Sequence, residues 1–250
     1  MGKVIMSGIV PPLKAPVTGI AASTLAVGST VKLMESGAAV EYLVVNQGKP
    51  GGSSLYDDSC DGTWILRKAC TSYNAWEDSS NESKYAESTI NTWLNGDFFN
   101  TLGSIEQAAV KQAKIPYCIS RESTAVNSGA KGLSVKAFLL GVYELGWKTS
   151  NSAYMPVDGV KCSYFISGTT TSAMNRRKAY FGASIVEWWT RSPYARPLSE
   201  SGVSDEAWFV SDTGLYESEY TFRANYIRPA LILPKTALFD ETTMILKGVA

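Results

Sequence analysis

The stretch that decides the fold lies near the carboxyl-terminal end and reads Tyr216-Glu217-Ser218-Glu219-Tyr220-Thr221-Phe222-Arg223-Ala224-Asn225-Tyr226. Its even-numbered positions are mostly aromatic, whereas its odd-numbered positions are charged or polar. A period of two places alternate side chains on opposite faces of an extended strand. The sequence therefore predicts one amphipathic strand, whose aromatic face is either packed in the core or displayed as a binding face.

This stretch ends a longer window, residues 188–226, in which aromatic residues are concentrated. The window holds nine of them, where the chain average of 11% would give about four. Serines and charged residues are also frequent, and the loop at 194–204 has the same mixture. Tyr and Trp provide large contact areas with few rotamers to lose, and Ser provides adaptable hydrogen bonds. We therefore predict that the window forms a ligand-binding surface.

The whole-chain composition excludes several function classes. The 250 residues include 23 Lys+Arg, 23 Asp+Glu and no His. A neutral chain lacks the positive charge that drives nucleic-acid binding, and a chain without His lacks Ser-His-Asp, Cys-His and His-zinc sites. No apolar run is long enough for membrane insertion, and the amino terminus is too interrupted for a signal peptide. We expect one soluble globular unit, made in the cytoplasm, with no nucleic-acid partner.

The chain divides into an arm and a domain. Residues 1–28 are rich in Pro, Gly and small residues, which predicts an extended arm that docks on another chain or mediates oligomerisation. Residues 29–250 are expected to form the domain, in which 30–34 and 40–46 make a hairpin and 63–68 a strand.

Two short helices are predicted within the domain. One covers residues 90–99, and the other covers 104–111, with Ser104 as its N-cap. Residues 119–134 are expected to form a polar loop. The cationic run Arg176-Arg177-Lys178 is interpreted as a solvated face. The four cysteines show no metal or redox spacing and are expected to be free buried thiols: Cys60, Cys70, Cys118 and Cys162.

Three further segments carry a resemblance to a known family: Glu187-Trp188-Trp189-Thr190-Arg191-Ser192-Pro193, Ala207-Trp208-Phe209-Val210, and Ile227-Arg228-Pro229-Ala230-Leu231. Together with residues 41–46 and 89–99, they resemble the C-type-lectin-like fold shared by formylglycine-generating enzymes and the variable proteins of diversity-generating retroelements. The likeness covers most of residues 30–247 and is closest to a branch common in prophages of gut Firmicutes. It implies an α+β fold of short twisted antiparallel strands with two short helices.

The resemblance also implies a role in binding rather than in catalysis. Variable members of the family display a diversified carboxyl-terminal patch that binds receptors. By that analogy the displayed positions are Tyr194, Arg196, Ser199, Ser201, Tyr216, Ser218, Tyr220, Phe222, Ala224 and Tyr226. The framework positions are Trp188, Trp189, Trp208 and Ile227.

The sequence lacks the motifs with which members of this family bind metals. The Glu-Pro-Asn, Gln-Pro-Asp and Trp-Asn-Asp triplets of calcium-dependent lectins are missing from the sequence. The carboxyl-terminal cysteine pair of formylglycine-generating enzymes is missing too, since the last cysteine is Cys162. We therefore expect no metal, no cofactor and no enzymatic activity.

Three hypotheses follow. The first is a phage or prophage receptor-binding protein on the virion surface, which binds a bacterial surface protein or glycan and contacts other virion proteins through its arm. Its role suggests a homo-oligomer, with three copies expected. The second is a structural virion component, such as a decoration or baseplate piece, whose aromatic patch is an inter-subunit contact. The third, a glycosidase, is disfavoured because its candidate acids lie in turn-like segments: Asp57, Asp58, Asp61, Asp205 and Glu206.

Overall fold

The computed structural model describes residues 17–78, 84–147, 153–196 and 205–250. The protein is α+β, since it combines many short strands with a few short helices. In chain order the strands are β1 (Ile20–Ala21), β2 (Thr30–Glu35), β3 (Ala38–Gln47), β4 (Thr63–Arg67), β5 (Tyr73–Ala75), β6 (Ala113–Ile115), β7 (Tyr117–Ser120), β8 (Ser123–Asn127), β9 (Leu133–Val135), β10 (Ala137–Phe138), β11 (Ala179–Phe181), β12 (Ser184–Val186), β13 (Trp188–Pro193), β14 (Glu206–Val210), β15 (Tyr216–Tyr220), β16 (Ala224–Tyr226), β17 (Ala230–Leu233), β18 (Ala237–Phe239) and β19 (Leu246–Val249).

The helices are short. They are α1 (Thr89–Trp93), α2 (Phe99–Thr101), α3 (Ser104–Ala109) and α4 (Thr171–Arg177), with a π-helical turn, Leu94–Phe98, joining α1 to α2. The Ser88 hydroxyl accepts a hydrogen bond from the backbone N–H of Asn91 and so caps α1. The helix predicted over residues 90–99 is therefore confirmed.

The N-cap predicted for α3 is wrong. Ser104 is the first helical residue, and Gly103 occupies the cap position without a side-chain hydrogen bond. The backbone N–H of Gly103 donates to the carbonyl oxygen of Met34, which fixes the start of the helix against β2. Gln107 then donates its side-chain amide to the carbonyl oxygen of Leu102 instead of to a capping residue. Tertiary contacts thus override the local capping signal.

One five-stranded sheet forms the centre of the domain. Its order is β10-β17-β4-β3-β2, and every neighbouring pair is antiparallel. The predicted hairpin is confirmed as β2 and β3, which turn through Ser36 and Gly37, both with positive φ. Trp64 on β4 is completely buried and packs edge-to-face against Tyr56 and Phe138, at 5.4 and 5.3 Å between ring centroids.

A second five-stranded sheet carries the carboxyl-terminal aromatic window. Its order is β15-β14-β13-β16-β5, with antiparallel pairs except for the parallel pair β13 and β16. A third sheet has the order β1-β18-β19, and β6-β9, β7-β8 and β11-β12 pair as two-stranded sheets. The strands β7, β8 and β9 occupy residues 117–135, so the loop expected at 119–134 is wrong. Its polar residues suit exposed short strands as well as loops.

Residues 17–28, the last part of the expected arm, pack against the domain. Strand β1 pairs with β18, and Ala22 and Leu25 lie in the hydrophobic core. The Gln47 amide donates to both of their carbonyl oxygens, at 2.9 Å each. The rest of the arm, residues 1–16, lies outside the described residues. All four cysteines are buried thiols, as the sequence predicts.

Candidate binding surface

The stretch from Tyr216 to Tyr226 is not one strand, which corrects the period-two prediction. Strand β15 ends at Tyr220, and β16 begins at Ala224 on the opposite side of β13. The turn between them is held through Thr221. Its backbone N–H donates to the carbonyl oxygen of Asp205, and its own carbonyl oxygen accepts from the N–H groups of Trp76 and Glu77. The aromatic residues are therefore divided between two places on the second sheet.

The first group is an aromatic face on β14 and β15. The ring of Trp208 packs on Tyr194, which packs on Tyr154, with ring centroids 5.0 Å apart in both pairs. Trp208 lies directly opposite Ser218 across the two strands, so their side chains share one face. All three rings are half-buried.

The same face continues to the turn after β15. Glu206 lies opposite Tyr220, and the strand period puts Tyr220 on the side of Ser218. The rings of Tyr220 and Phe222 stack at 5.3 Å with an angle of 21°. Both residues are about half exposed, at 45% and 50%. We call this surface the ladder face and define it as Tyr154, Tyr194, Trp208, Ser218, Tyr220 and Phe222.

The second group is an edge cluster, defined as Tyr73, Phe181 and Tyr226. The ring of Tyr226 lies 4.9 Å from the ring of Tyr73 on edge strand β5 and 4.9 Å from that of Phe181 on β11. Tyr73 and Phe181 are exposed. Ala224 lies on the same side of β16 as Tyr226 and is half-buried. Tyr73 and Phe181 were not predicted from the sequence because they lie outside the aromatic window. Tyr73 meets Tyr226 through the pairing of β5 with β16, and Phe181 meets it through a ring contact from β11.

Tyr216 is not displayed, so its assignment to the binding patch is wrong. It is 8% exposed, and its hydroxyl donates to the carbonyl oxygen of Leu145 at 3.1 Å. Its ring contacts Trp147, and the guanidinium of Arg177 lies 4.9 Å from the ring centroid. Tyr216 faces Val210 across the strands, on the same side of β15 as Ser218 and Tyr220, but Trp147 and Arg177 cover this end of the face.

The remaining predicted positions lie in or near a loop. Arg196 is half-buried, and its backbone N–H donates to the carbonyl oxygen of Tyr194. The N–H of Ala195 donates to the carbonyl oxygen of Tyr154, which ties the start of this loop to the ladder face. Ser199 and Ser201 lie outside the described residues.

Three of the four framework positions are fully buried: Trp188, Trp189 and Ile227. The indole N–H of Trp188 donates to the carbonyl oxygen of Arg177, and that of Trp189 donates to the carbonyl oxygen of Asn74. Trp208 is half-buried: it packs against the hydrophobic core, as a framework residue would, and its ring also forms part of the ladder face.

Arg177 also corrects the solvated-face interpretation of residues 176–178. Its side chain is completely buried. The guanidinium donates to the carbonyl oxygens of Gly214 and Gly168, at 2.8 and 2.7 Å. Backbone carbonyls thus replace the water that a cation ordinarily requires.

A buried ion network lies beneath the second sheet and was not found from the sequence. Arg191, on β13, forms a two-pronged ion pair with Glu144, at 2.5 and 2.8 Å, and its Nε lies 3.5 Å from Oδ2 of Asp158. All three side chains are completely shielded from solvent. The Arg191 guanidinium also donates to the backbone carbonyl oxygens of Pro116, Leu139 and Asp158.

The network leaves one carboxylate incompletely satisfied. Oδ2 of Asp158 accepts a hydrogen bond from the Ser192 hydroxyl at 2.8 Å, whereas Oδ1 has no hydrogen-bond partner within the described chain. Burial raises the pKa of Asp158 to about 6, although Arg191 opposes the increase. Arg191 is part of the Trp-Trp-Thr-Arg-Ser-Pro segment, but its partners lie far away in sequence, so spacing could not reveal them.

The candidate nucleophiles and acids are constrained by their surroundings. Burial raises the pKa of the Cys60, Cys70 and Cys118 thiols to about 12, and that of Cys162 well above its usual range. Four of the five glycosidase candidates accept a hydrogen bond from a neighbouring group. Asp57 accepts from the backbone N–H of Ser59, and Asp58 accepts from the Lys49 ammonium. Asp61 accepts from the Lys235 ammonium, and Asp205 accepts from the Arg121 guanidinium.

Neither a metal cluster nor a membrane-spanning helix is found in the described part of the chain. No group of three or more Cys, Asp or Glu side chains there is arranged to hold a metal ion. None of the helices described has the length and apolar character needed to cross a bilayer.

Comparison with known proteins shows the family to which the chain belongs. The model of a family described as a domain of unknown function, DUF6273, matches residues 61–235. The match covers more than half of the chain. It includes the middle strand of each five-stranded sheet, β4 and β13, together with the ion network and the ladder face. The chain belongs to the DUF6273 family. No curated protein and no solved structure matches it significantly.

Proposed function

We propose that this protein is a non-enzymatic binding protein with a C-type-lectin-like fold, related to the variable proteins of diversity-generating retroelements. In this proposal it sits on the surface of a phage or prophage virion. It displays the ladder face to a bacterial surface protein or glycan.

The observation that carries the proposal is the contrast between the ladder face and the strand beside it. The six aromatic or Ser residues of the ladder face, on and next to β14 and β15, are half-buried or exposed. On the neighbouring strand β13, Trp188, Trp189 and Arg191 are completely buried and hydrogen-bonded. Large aromatic side chains on a rigid base lose little entropy on binding, which favours recognition.

The chemistry of the chain supports binding over catalysis. The four thiols are buried and protonated at neutral pH, so they are poor nucleophiles. Asp158, the carboxyl whose pKa is raised to about 6, is completely buried. A substrate could not reach it without opening the fold.

Residues 1–16 would attach the protein to other virion proteins. The segment enters the described domain at Val17, close to β19. A homo-oligomer, with three copies as the expected number, would add avidity to modest binding at a single site.

The test is binding of the labelled full chain to a panel of intact gut Firmicutes cells. The double variant Tyr220→Ala, Phe222→Ala should weaken binding at least about tenfold, because truncated aromatic contacts are typical hot spots. Its melting temperature should be unchanged, since both rings are exposed. Tyr73→Ala is the matched control and should bind like the wild type.

Two outcomes would contradict the proposal. One is that no strain binds the wild-type chain above a denatured control. The other is that Tyr73→Ala lowers binding as much as the double variant does, which would remove the assignment to the ladder face.

The edge cluster favours a second candidate, a structural virion component. Its exposed rings lie beside β5, an edge strand of the second sheet, and exposed aromatic residues at an edge suit a contact between subunits. Light scattering after size-exclusion chromatography tests it. A stable oligomer that dissociates in Phe181→Ala, but not in Tyr220→Ala, would support the structural role.

A further inference from the structure

A polar cleft lies beside the π-helical turn and shares no residue with the ladder face or the edge cluster. Its volume is about 570 Å³. Five of its nine described lining residues carry an amide or hydroxyl side chain, and Lys136 carries the only charge among them. It is therefore a separate feature of the molecule, which combines polar groups with the apolar side chains of Phe99 and Val135.

Asn95 holds the two walls of the cleft together. Its side-chain oxygen accepts from the backbone N–H groups of Lys136 and Ala137, at 2.8 and 3.2 Å. Its side-chain nitrogen donates to the carbonyl oxygens of Asn91 and Ala137, both at 3.0 Å. The π-helical turn is thereby fixed to the segment after β9, so the cleft is already formed without a ligand.

The polar groups that a ligand could reach in the cleft are exposed to solvent. Thr92 and Gln112 are exposed, and within the described part of the chain the Thr92 hydroxyl and the side-chain oxygen of Gln112 make no hydrogen bond with the protein. The Ser134 hydroxyl accepts from Gln112 at 3.1 Å and keeps its own proton to donate. The Lys136 ammonium lies 4.5 Å from the centroid of the Phe99 ring. These groups offer donors, acceptors and one cation.

Gly96 keeps the cleft open. It lies inside the π-helical turn, where glycine is less favourable than alanine, and its φ is not in the positive region. A Cβ added there would meet no atom within 4 Å. Gly96 lines the cleft, so a larger side chain at this position would take up part of its space. Single π-helical turns also occur often at functional sites.

We infer that this cleft binds an acidic sugar, a hydroxyl-rich ligand with one carboxylate. Lys136 pairs with the carboxylate, and Thr92, Gln112 and Ser134 exchange hydrogen bonds with the sugar hydroxyls. The site goes beyond the proposed function, since it uses none of the residues of the ladder face.

The test is a chemical-shift titration of the ¹⁵N-labelled full chain with glucuronic acid, and with glucose as the neutral analogue. Glucuronic acid should give saturable shifts at residues 92–96 and 134–136. Lys136→Met should weaken glucuronic acid about tenfold, through loss of a charge-assisted bond, and leave glucose unchanged. Gly96→Leu should remove binding of both sugars while the melting temperature stays the same.

Two controls make the outcome decisive. The Tyr220→Ala, Phe222→Ala variant should bind glucuronic acid like the wild type, so a failed cell-binding proposal and a failed cleft remain distinguishable. The inference is overturned if glucuronic acid gives no saturable shifts. It is also overturned if Gly96→Leu, folded by its melting curve, still binds both sugars.

Discussion

Replacing Asp158 by Asn should remove a specific pH dependence of folding stability. The carboxyl is completely buried, its Oδ1 is unpartnered, and burial raises its pKa from 3.8 to about 6. The folded protein therefore holds a proton at this site between about pH 4 and pH 6, where the unfolded chain has released it. Stability falls as the pH rises through this window.

The size of the effect follows from the two pKa values. Each pH unit between them is worth about 1.4 kcal/mol, so Asp158 changes the free energy of unfolding by about 3 kcal/mol across the window. Asn has a similar shape and accepts a hydrogen bond from Ser192, but it does not titrate. The variant should lack this contribution at every pH.

Urea unfolding followed by Trp fluorescence from pH 4 to pH 7.5, at constant ionic strength, measures the difference between the two proteins. The wild type should lose about 3 kcal/mol relative to Asp158→Asn as the pH rises. Ser192→Ala should extend the upper end of the window to higher pH, because the Ser192 hydroxyl favours the ionised carboxylate in the folded protein. A difference that stays constant over the whole pH range would refute this account of the network.

Three further predictions concern the buried residues and turns that support the candidate binding surface. The native protein should not react with a thiol reagent at pH 8, whereas urea should expose four reactive thiols; rapid labelling of any native cysteine would contradict their burial. Gly214→Ala should lower the free energy of unfolding well beyond Gly182→Ala, which should cost roughly 1–2 kcal/mol. Both glycines have positive φ, but of the two only Gly214 would bring a Cβ against a backbone carbonyl oxygen, that of Met174. Equal urea midpoints for the two variants would contradict this. Tyr216→Phe should cost about 1 kcal/mol by urea unfolding and leave cell binding unchanged, so reduced binding would place Tyr216 on the surface.

Local patterns predicted the elements that depend on neighbouring residues. The hairpin of β2 and β3, the strand β4 and the helix after Ser88 were all found because their apolar spacing and turn residues lie within a few positions of one another. The same reasoning failed at 119–134, where exposed polar strands resemble a loop. It also failed at Ser104, because β2 fixes the start of α3.

The candidate surface was only partly predictable. The period of two suggested a single aromatic face, but Thr221 interrupts it through backbone bonds to residues far away in the chain. Burial of Arg177 and the partners of Arg191 depend on carbonyl and carboxylate groups from other elements. Such contacts are set by tertiary packing, and no spacing in one sequence reveals them.

The anchoring of the turn at Thr221 has a practical consequence for engineering. Within the described residues, the backbone N–H and carbonyl oxygen of Thr221 are bound by main-chain groups, while the exposed side chains of Tyr220, Phe222 and Arg223 contact one another and Glu219. A library randomised at these three positions should therefore keep its scaffold. New specificities could be selected there without redesigning the protein that carries them.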